Sequence, residues 1–190
     1  MMYNHLLGDF YSVRYKAYGP TARGMAWKEE ADVIDAYTQM CRLLKTRRDS
    51  SILDVGCGAG LGHDPCDTKQ YYGCDIHPAP LHYCPFPTAY GSIDAFQDNS
   101  VDYVIANGIF NVGYKILTAL SVLMEMTRVA GKGVAFTVEP NQGQFFDAPF
   151  TLYTRMEWEY MVSEMFSDVK FHNLDTHTQM VIYGGTGKDD

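Results

Sequence analysis

Three glycines at alternate positions, Gly56, Gly58 and Gly60, follow a short apolar run that ends in Leu53-Asp54-Val55. Without Cβ atoms the backbone there can turn sharply and let a ligand approach closely, as in the strand-to-helix loops that cradle nucleosides. A tight turn alone would explain such glycines, so a second element matters. Asp75 closes the next apolar run, Tyr71-Tyr72-Gly73-Cys74-Asp75-Ile76, nineteen positions beyond Gly56. That is close to the ~20-residue offset at which a carboxylate accepts hydrogen bonds from both hydroxyls of a ribose. Glycine loop and acid together imply a nucleoside site.

The loop's own charge narrows the ligand. Asp54 stands immediately before the glycines, where a carboxylate would repel a pyrophosphate. No Gly-Lys-Ser/Thr phosphate loop is present. S-adenosylmethionine carries no phosphate and presents an ammonium and a sulfonium, so an acidic loop favours it over NAD or ATP. Glu139, at the end of a later apolar run, is the candidate general base for an oxygen or nitrogen acceptor; a solvated Glu before Pro140 is the plainer reading. His63 is a weaker candidate. His63, Cys66, Cys74, His77, His82 and Cys84 crowd one window with spacings that zinc sites use. Cys74 and its neighbour Asp75 should face opposite sides of a strand, however, and a buried Cys74 fits better, so no metal is assigned.

Positioning these residues takes a sheet. Ile52–Val55, Tyr71–Ile76, Val101–Ala106 and Val134–Val138 read as strands buried on both faces, and Tyr114–Val129 and Thr154–Phe166 as helices. Val169–Leu174 and Met180–Tyr183, joined by Asp175-Thr176-His177, read as an antiparallel hairpin at one edge. Upstream, Leu6–Tyr18 forms a helix stopped by Gly19-Pro20, and Thr21–Arg48 reads as one long amphipathic helix with Met25, Val33, Ile34, Tyr37, Met40, Cys41 and Leu44 on one face. The fold class is α/β: a doubly wound, mostly parallel Rossmann-like sheet with a C-terminal antiparallel hairpin and N-terminal helices. Residues 1–48 make a helical cap and residues 49–190 the ligand-binding domain, in a single compact unit.

Three segments resemble the class I S-adenosylmethionine-dependent methyltransferases: LDVGCGAG (Leu53–Gly60) their first motif, YYGCDIHP (Tyr71–Pro78) the second and VDYVIANGIFN (Val101–Asn111) the fourth. With YGPTARGMAW (Tyr18–Trp27), SVDYVIANGIFNV is similar to a bacterial and phage subgroup of these enzymes. The resemblance covers Tyr18–Trp27 and Ser51–Pro140, more weakly the rest. It implies that Asp54, Gly56, Gly58 and Gly60 surround the donor's methionine part and that Asp75 binds the ribose. Ile76 would pack on the adenine, Asp94 contact its edge and Asn107 lie near the methyl group. It also implies that Arg23 pairs the donor's carboxylate while Trp27 covers an apolar face. The chain departs from the family where Leu61–Gln70 is short and polar and where HPAPLHYCPFPT holds four prolines in place of a helix. Both cuts thin one side of the sheet and leave room for a homo-oligomer. No motif names the acceptor; Phe145, Phe146 and Phe150 are candidates for its pocket wall.

Composition limits the partners. The chain has 190 residues, 46% hydrophobic and 14% aromatic, enough for one core and too apolar for disorder. A formal charge of −8 and a basic run restricted to Arg42, Lys45, Arg47 and Arg48 disfavour nucleic acid. The fourth motif also lacks the Pro-Pro-Tyr/Phe of base-amine methylation. A small molecule or a protein side chain is the favoured acceptor. Five cysteines, no signal pattern and no membrane-length apolar run point to the cytoplasm. The alternative is a donor-binding module without transferase activity: a sensor, a partner subunit or a phage protein that sequesters the donor.

Overall fold

The computed structural model describes residues 5–111, 115–139, 152–163, 165–166, 168–174 and 180–187. Within them lies one seven-stranded sheet: β1 (Ser51–Val55), β2 (Gln70–Asp75), β3 (Thr88–Tyr90), β4 (Val101–Ala106), β5 (Ala130–Val138), β6 (Val169–Asn173) and β7 (Met180–Gly185), in the order β3-β2-β1-β4-β5-β7-β6. The first five pair in parallel, whereas β7 runs antiparallel to both β5 and β6. The order in which successive strands are added reverses between β1 and β4, which stay parallel to each other. A crevice opens there at the carboxyl ends of the strands, where doubly wound folds bind ligands.

Burial follows the alternation of side chains along each strand. Leu53, Val55, Val104, Val134, Phe136 and Ile182 face α5 (Ile116–Val129) and α6 (Arg155–Ser163). In α5 the inward positions Ala119, Val122, Leu123, Met126 and Val129 recur at helical spacing, while Leu117 and Met124 point to solvent. Ile52, Ile105, Ala135 and Val181 face α2 (Glu30–Leu44). The segment before α2 corrects the long-helix expectation. Residues 21–27 form a compact turn, closed by the Trp27 N–H donating to the Ala22 carbonyl (2.9 Å) and carrying Ala26 at φ 69°. Met25 therefore leaves the helical face on which periodicity put it, and Ile34 turns outward. The helix stops at Lys45, which adopts the left-handed conformation of a C-cap (φ 56°), so the basic run behind it is an exposed helix end. α1 (His5–Tyr18) forms as expected.

The thinned stretches hold one-turn helices, α3 (His63–Cys66) and α4 (Pro78–Leu81). Rings cover the sheet in place of longer helices: Phe86 packs edge-on to Tyr71 (4.7 Å between centroids) and stacks on His63 (5.3 Å). Cys41 of α2 and Cys66 of α3 form a disulfide that the odd cysteine count does not signal, with Cα atoms 5.7 Å apart. No helix among the described residues is long and apolar enough to cross a membrane. The Asp175-Thr176-His177 turn and Phe145, Phe146 and Phe150 lie outside the described residues.

Candidate functional site

Asp54 is the fourth residue of β1 and points to the α2 face, where it is fully buried. Its Oδ2 accepts hydrogen bonds from the hydroxyls of Tyr37 (3.0 Å) and Tyr71 (2.9 Å); its Oδ1 has no partner. Burial pushes the Asp54 carboxyl up to about 7, against the pull of the two phenols and with a further push from the charge of Asp75.

Beyond Val55 the chain turns through Gly56, Gly58 and Gly60, all at positive φ (75°, 54° and 85°). Asp75 closes β2 opposite this loop. Its Oδ2 accepts the Gly58 N–H (2.9 Å) and its Oδ1 the His77 N–H (2.8 Å), so backbone donors fix both oxygens and each keeps acceptor capacity for a diol. Burial raises the Asp75 carboxyl, opposed by these backbone N–H groups. Ile76 follows, half-buried. Asp94 stands exposed in a turn anchored by the buried Ile93.

Across the crevice, Asn107 follows β4 and is buried on the same face as Asp54. Its Oδ1 accepts the Thr137 hydroxyl (2.7 Å), and that oxygen accepts the Gly108 N–H (2.8 Å). The Asn107 Nδ2 is buried without a partner. Glu139 lies one residue past β5, half-buried, its N–H donating to the Asn111 side chain (2.9 Å). Asp54, Asp75, Asn107 and Glu139 thus stand at the carboxyl ends of four adjacent strands, β2-β1-β4-β5.

Two N-terminal pieces roof the crevice. Met25 lies over the glycine loop: its sulfur accepts the Ala59 N–H (3.3 Å) and sits 2.6 Å from where a Cβ on Gly58 would stand. Trp27 covers Gly108, with Cζ2 3.3 Å from the equivalent point. The Arg23 side chain is exposed; its carbonyl, held by the Arg14 guanidinium (2.6 Å), is what the fold fixes. From α1, Ser12 hydrogen-bonds His77 (3.1 Å), and the Tyr15 hydroxyl is buried without a partner, pushed above the usual tyrosine range by that burial first and then by the nearby Cys84 and Asp75.

Tyr15, Met25, Tyr37, Tyr71 and Thr137 are the site residues that the sequence did not single out. Tyr37 and Tyr71 carry the one available signal, a polar tip on a residue of an otherwise apolar face. Among the described residues no three His, Cys, Asp or Glu side chains converge as a metal would need. The Cys84 thiol instead reaches the Gly58 carbonyl (3.2 Å), and Cys74 is buried in the sheet.

Comparison with known proteins fits this geometry. Residues 53–138 match the family model described as a methyltransferase domain. No curated protein matches the sequence. Among solved structures, the magnesium protoporphyrin IX methyltransferase of Synechocystis PCC 6803 with bound SAH is 12% identical (TM-score 0.65, 81% of this chain and 82% of that one). A Haloferax volcanii methyltransferase solved in complex with the Trm112 methyltransferase activator is 14% identical (TM-score 0.70, 94% and 97%). A Thermotoga maritima SAM-dependent methyltransferase is 12% identical (TM-score 0.66, 96% and 98%). At these identities the structures speak for the fold; the domain match carries the activity. Residues 53–138 thus match a methyltransferase domain, set in a fold that this chain shares with S-adenosylmethionine-dependent methyltransferases.

Proposed function

We propose that the chain transfers the methyl group to an oxygen or nitrogen of a small molecule or a protein side chain, with the donor in the crevice between β1 and β4. The carrying observation is the pinning of Asp75 opposite the glycine loop, its oxygens set by the N–H groups of Gly58 and His77. In this reading Asp75 takes the ribose hydroxyls, Ile76 and Asp94 flank the adenine, and Asp54 with Gly56, Gly58 and Gly60 takes the methionine part. The fit rests on two orphaned atoms: Asp54 Oδ1 suits an ammonium, and Asn107 Nδ2 suits an acceptor atom beside the reacting centre. Trp27 closes the apolar side, and Arg23, exposed on the turn, serves the donor's carboxylate after a side-chain movement.

When bound, the donor supplies a methyl group on a positive sulfur, open to in-line displacement. The protein's part is alignment, which Asn107 and the roof of Met25 and Trp27 provide, and removal of the acceptor's proton, which falls to Glu139. The acidic charge favours a neutral or cationic acceptor over nucleic acid. A protein partner or a second copy of the chain has a place beside the thinned α3 and α4, as the Haloferax relative has its activator.

Calorimetric titration with S-adenosylhomocysteine tests the site. Asp75→Ala removes two hydrogen bonds to a charged acceptor, worth roughly 1.5–3 kcal/mol each, and should weaken binding at least tenfold. Unchanged affinity in a folded Asp75→Ala protein overturns the assignment. Donor binding with no methylated product across a broad acceptor panel would favour the binding-module reading.

A further inference from the structure

The partners of Asp54 are unusual for a buried carboxylate. Two phenols from different elements, Tyr37 of α2 and Tyr71 of β2, donate to one oxygen, and the other oxygen is left bare. Leaving a buried charged oxygen unpaired is costly, and such a group persists where something outside the chain completes it. The surroundings show what kind of group that is. Around Asp54 stand Tyr37 from α2, Tyr71, Cys74 and Asp75 from β2, Cys57 from the glycine loop and Cys84 from the segment before β3. The His63 ring lies against Tyr71 and is bonded to Asp64. No Lys or Arg of the described residues pairs with Asp54. The carboxylate is thus presented to neutral donors and to a second acid, and lacks a cation.

We infer that Tyr37 and Tyr71 are positioning residues that hold Asp54, through its Oδ2, with its Oδ1 available to the α-ammonium of the donor's amino-acid tail. This inference rests on the donor reading above and adds the two residues that set the tail's recognition. Both phenols are pushed well above the usual tyrosine range by burial and by the charge of Asp54, so they remain donors wherever the protein is folded. Their hydrogen bonds favour the ionised carboxyl and work against its burial. A cation at Oδ1 requires that same ionised form, so tail binding and the phenol bonds support each other.

The test is titration of wild type, Tyr37→Phe, Tyr71→Phe and Asp54→Asn with two ligands between pH 5.5 and 8. S-adenosylhomocysteine carries the ammonium; 5′-methylthioadenosine keeps the adenosine and sulfur and lacks the tail. Wild-type affinity for S-adenosylhomocysteine should rise with pH through about 7, by up to about tenfold per unit on the steep limb. Either Phe variant keeps the ring and loses one donor, so the limb should move to higher pH and affinity at pH 7 should fall by about tenfold. Asp54→Asn should bind weakly with little pH dependence. Affinity for 5′-methylthioadenosine should stay the same in all four proteins. The inference is overturned if the Phe variants keep the wild-type pH profile, or if they lose both ligands alike, as a merely structural role predicts. Wild type that binds neither ligand at any pH overturns the donor reading, and this inference with it.

Discussion

On the side of the sheet covered by α5 and α6, the strands contribute Leu53, Val104, Val134, Phe136 and Ile182, and the rings of Phe110, Phe136 and Trp158 meet edge to face or tilted at 4.9–5.7 Å. On the side covered by α2, the same strands and their ends contribute Asp54, Asn107 and Thr137 beside Ile52, Ile105 and Val181. The first side is almost wholly apolar, the Trp158 indole N–H being a buried donor without a partner. The second carries fully buried polar groups, two of which keep an atom unpaired, and its covering helices after β1 and β2 shrink to one turn each. One face stores stability by generic burial; the other gives some of it up to hold groups that a ligand completes.

Substitution at equivalent depth should separate the two faces. The largest effect belongs to Phe136→Ala, which removes a fully buried ring from between Phe110 and Trp158. A cost of about 3–5 kcal/mol is expected in urea unfolding, while the folded protein keeps its affinity for S-adenosylhomocysteine. A loss of binding without loss of stability would erase the contrast.

The opposite outcome is expected one face away. The Asp54 carboxyl moves from 3.8 to about 7 on folding. Below the unfolded value both states bind the proton, so nothing is lost; as pH rises through the folded value, the native state must ionise a buried acid that the unfolded chain ionises freely. Asp54 therefore costs the donor-free fold stability on the alkaline side, by at most roughly 4 kcal/mol for a shift of about three units. Asp54→Asn escapes this. Its stability advantage over wild type, read from urea midpoints without ligand, should grow between pH 5 and 8. An advantage that is absent or shrinks with pH would show that the α2 face carries no such debt.

These differences also mark what could be read beforehand. The parallel core, the β6–β7 pair and the carboxyl-edge positions of Asp54, Asp75, Asn107 and Glu139 follow from strand periodicity and the glycine loop, which are local properties of the chain. The helix break at residues 21–27 was not legible, because Met25 continues an apolar spacing that α2 shares, and what overrides it is the contact of Met25 with Gly58 and of Trp27 with Gly108. Tyr37 and Tyr71 were legible as core and not as site, since their rings bury like any other and their hydroxyls find Asp54 only once α2 packs on the sheet. The Cys41–Cys66 pairing depends on the same packing.

The smallest expected effect probes the roof of the α2 side. Met25 lays a thioether on the backbone of Gly58 and Ala59, held by one N–H···S contact of 3.3 Å. A ligand that lies against the glycine loop at Gly58 must move that side chain first. The contact is soft: sulfur is a weak acceptor and an unbranched side chain re-orients easily. Met25→Ala leaves the turn's own hydrogen bonds in place, among them Trp27 N–H to the Ala22 carbonyl. Association of S-adenosylhomocysteine should therefore quicken by about threefold to tenfold, the range that a barrier of roughly 1 kcal/mol spans. Trp27, half-buried over Gly108, reports on the step by stopped-flow fluorescence, since Trp158 is sealed in the other face. An association rate equal to wild type would mean that the ligand enters without displacing Met25, and the roof would then be a fixed wall of the site rather than a part that opens.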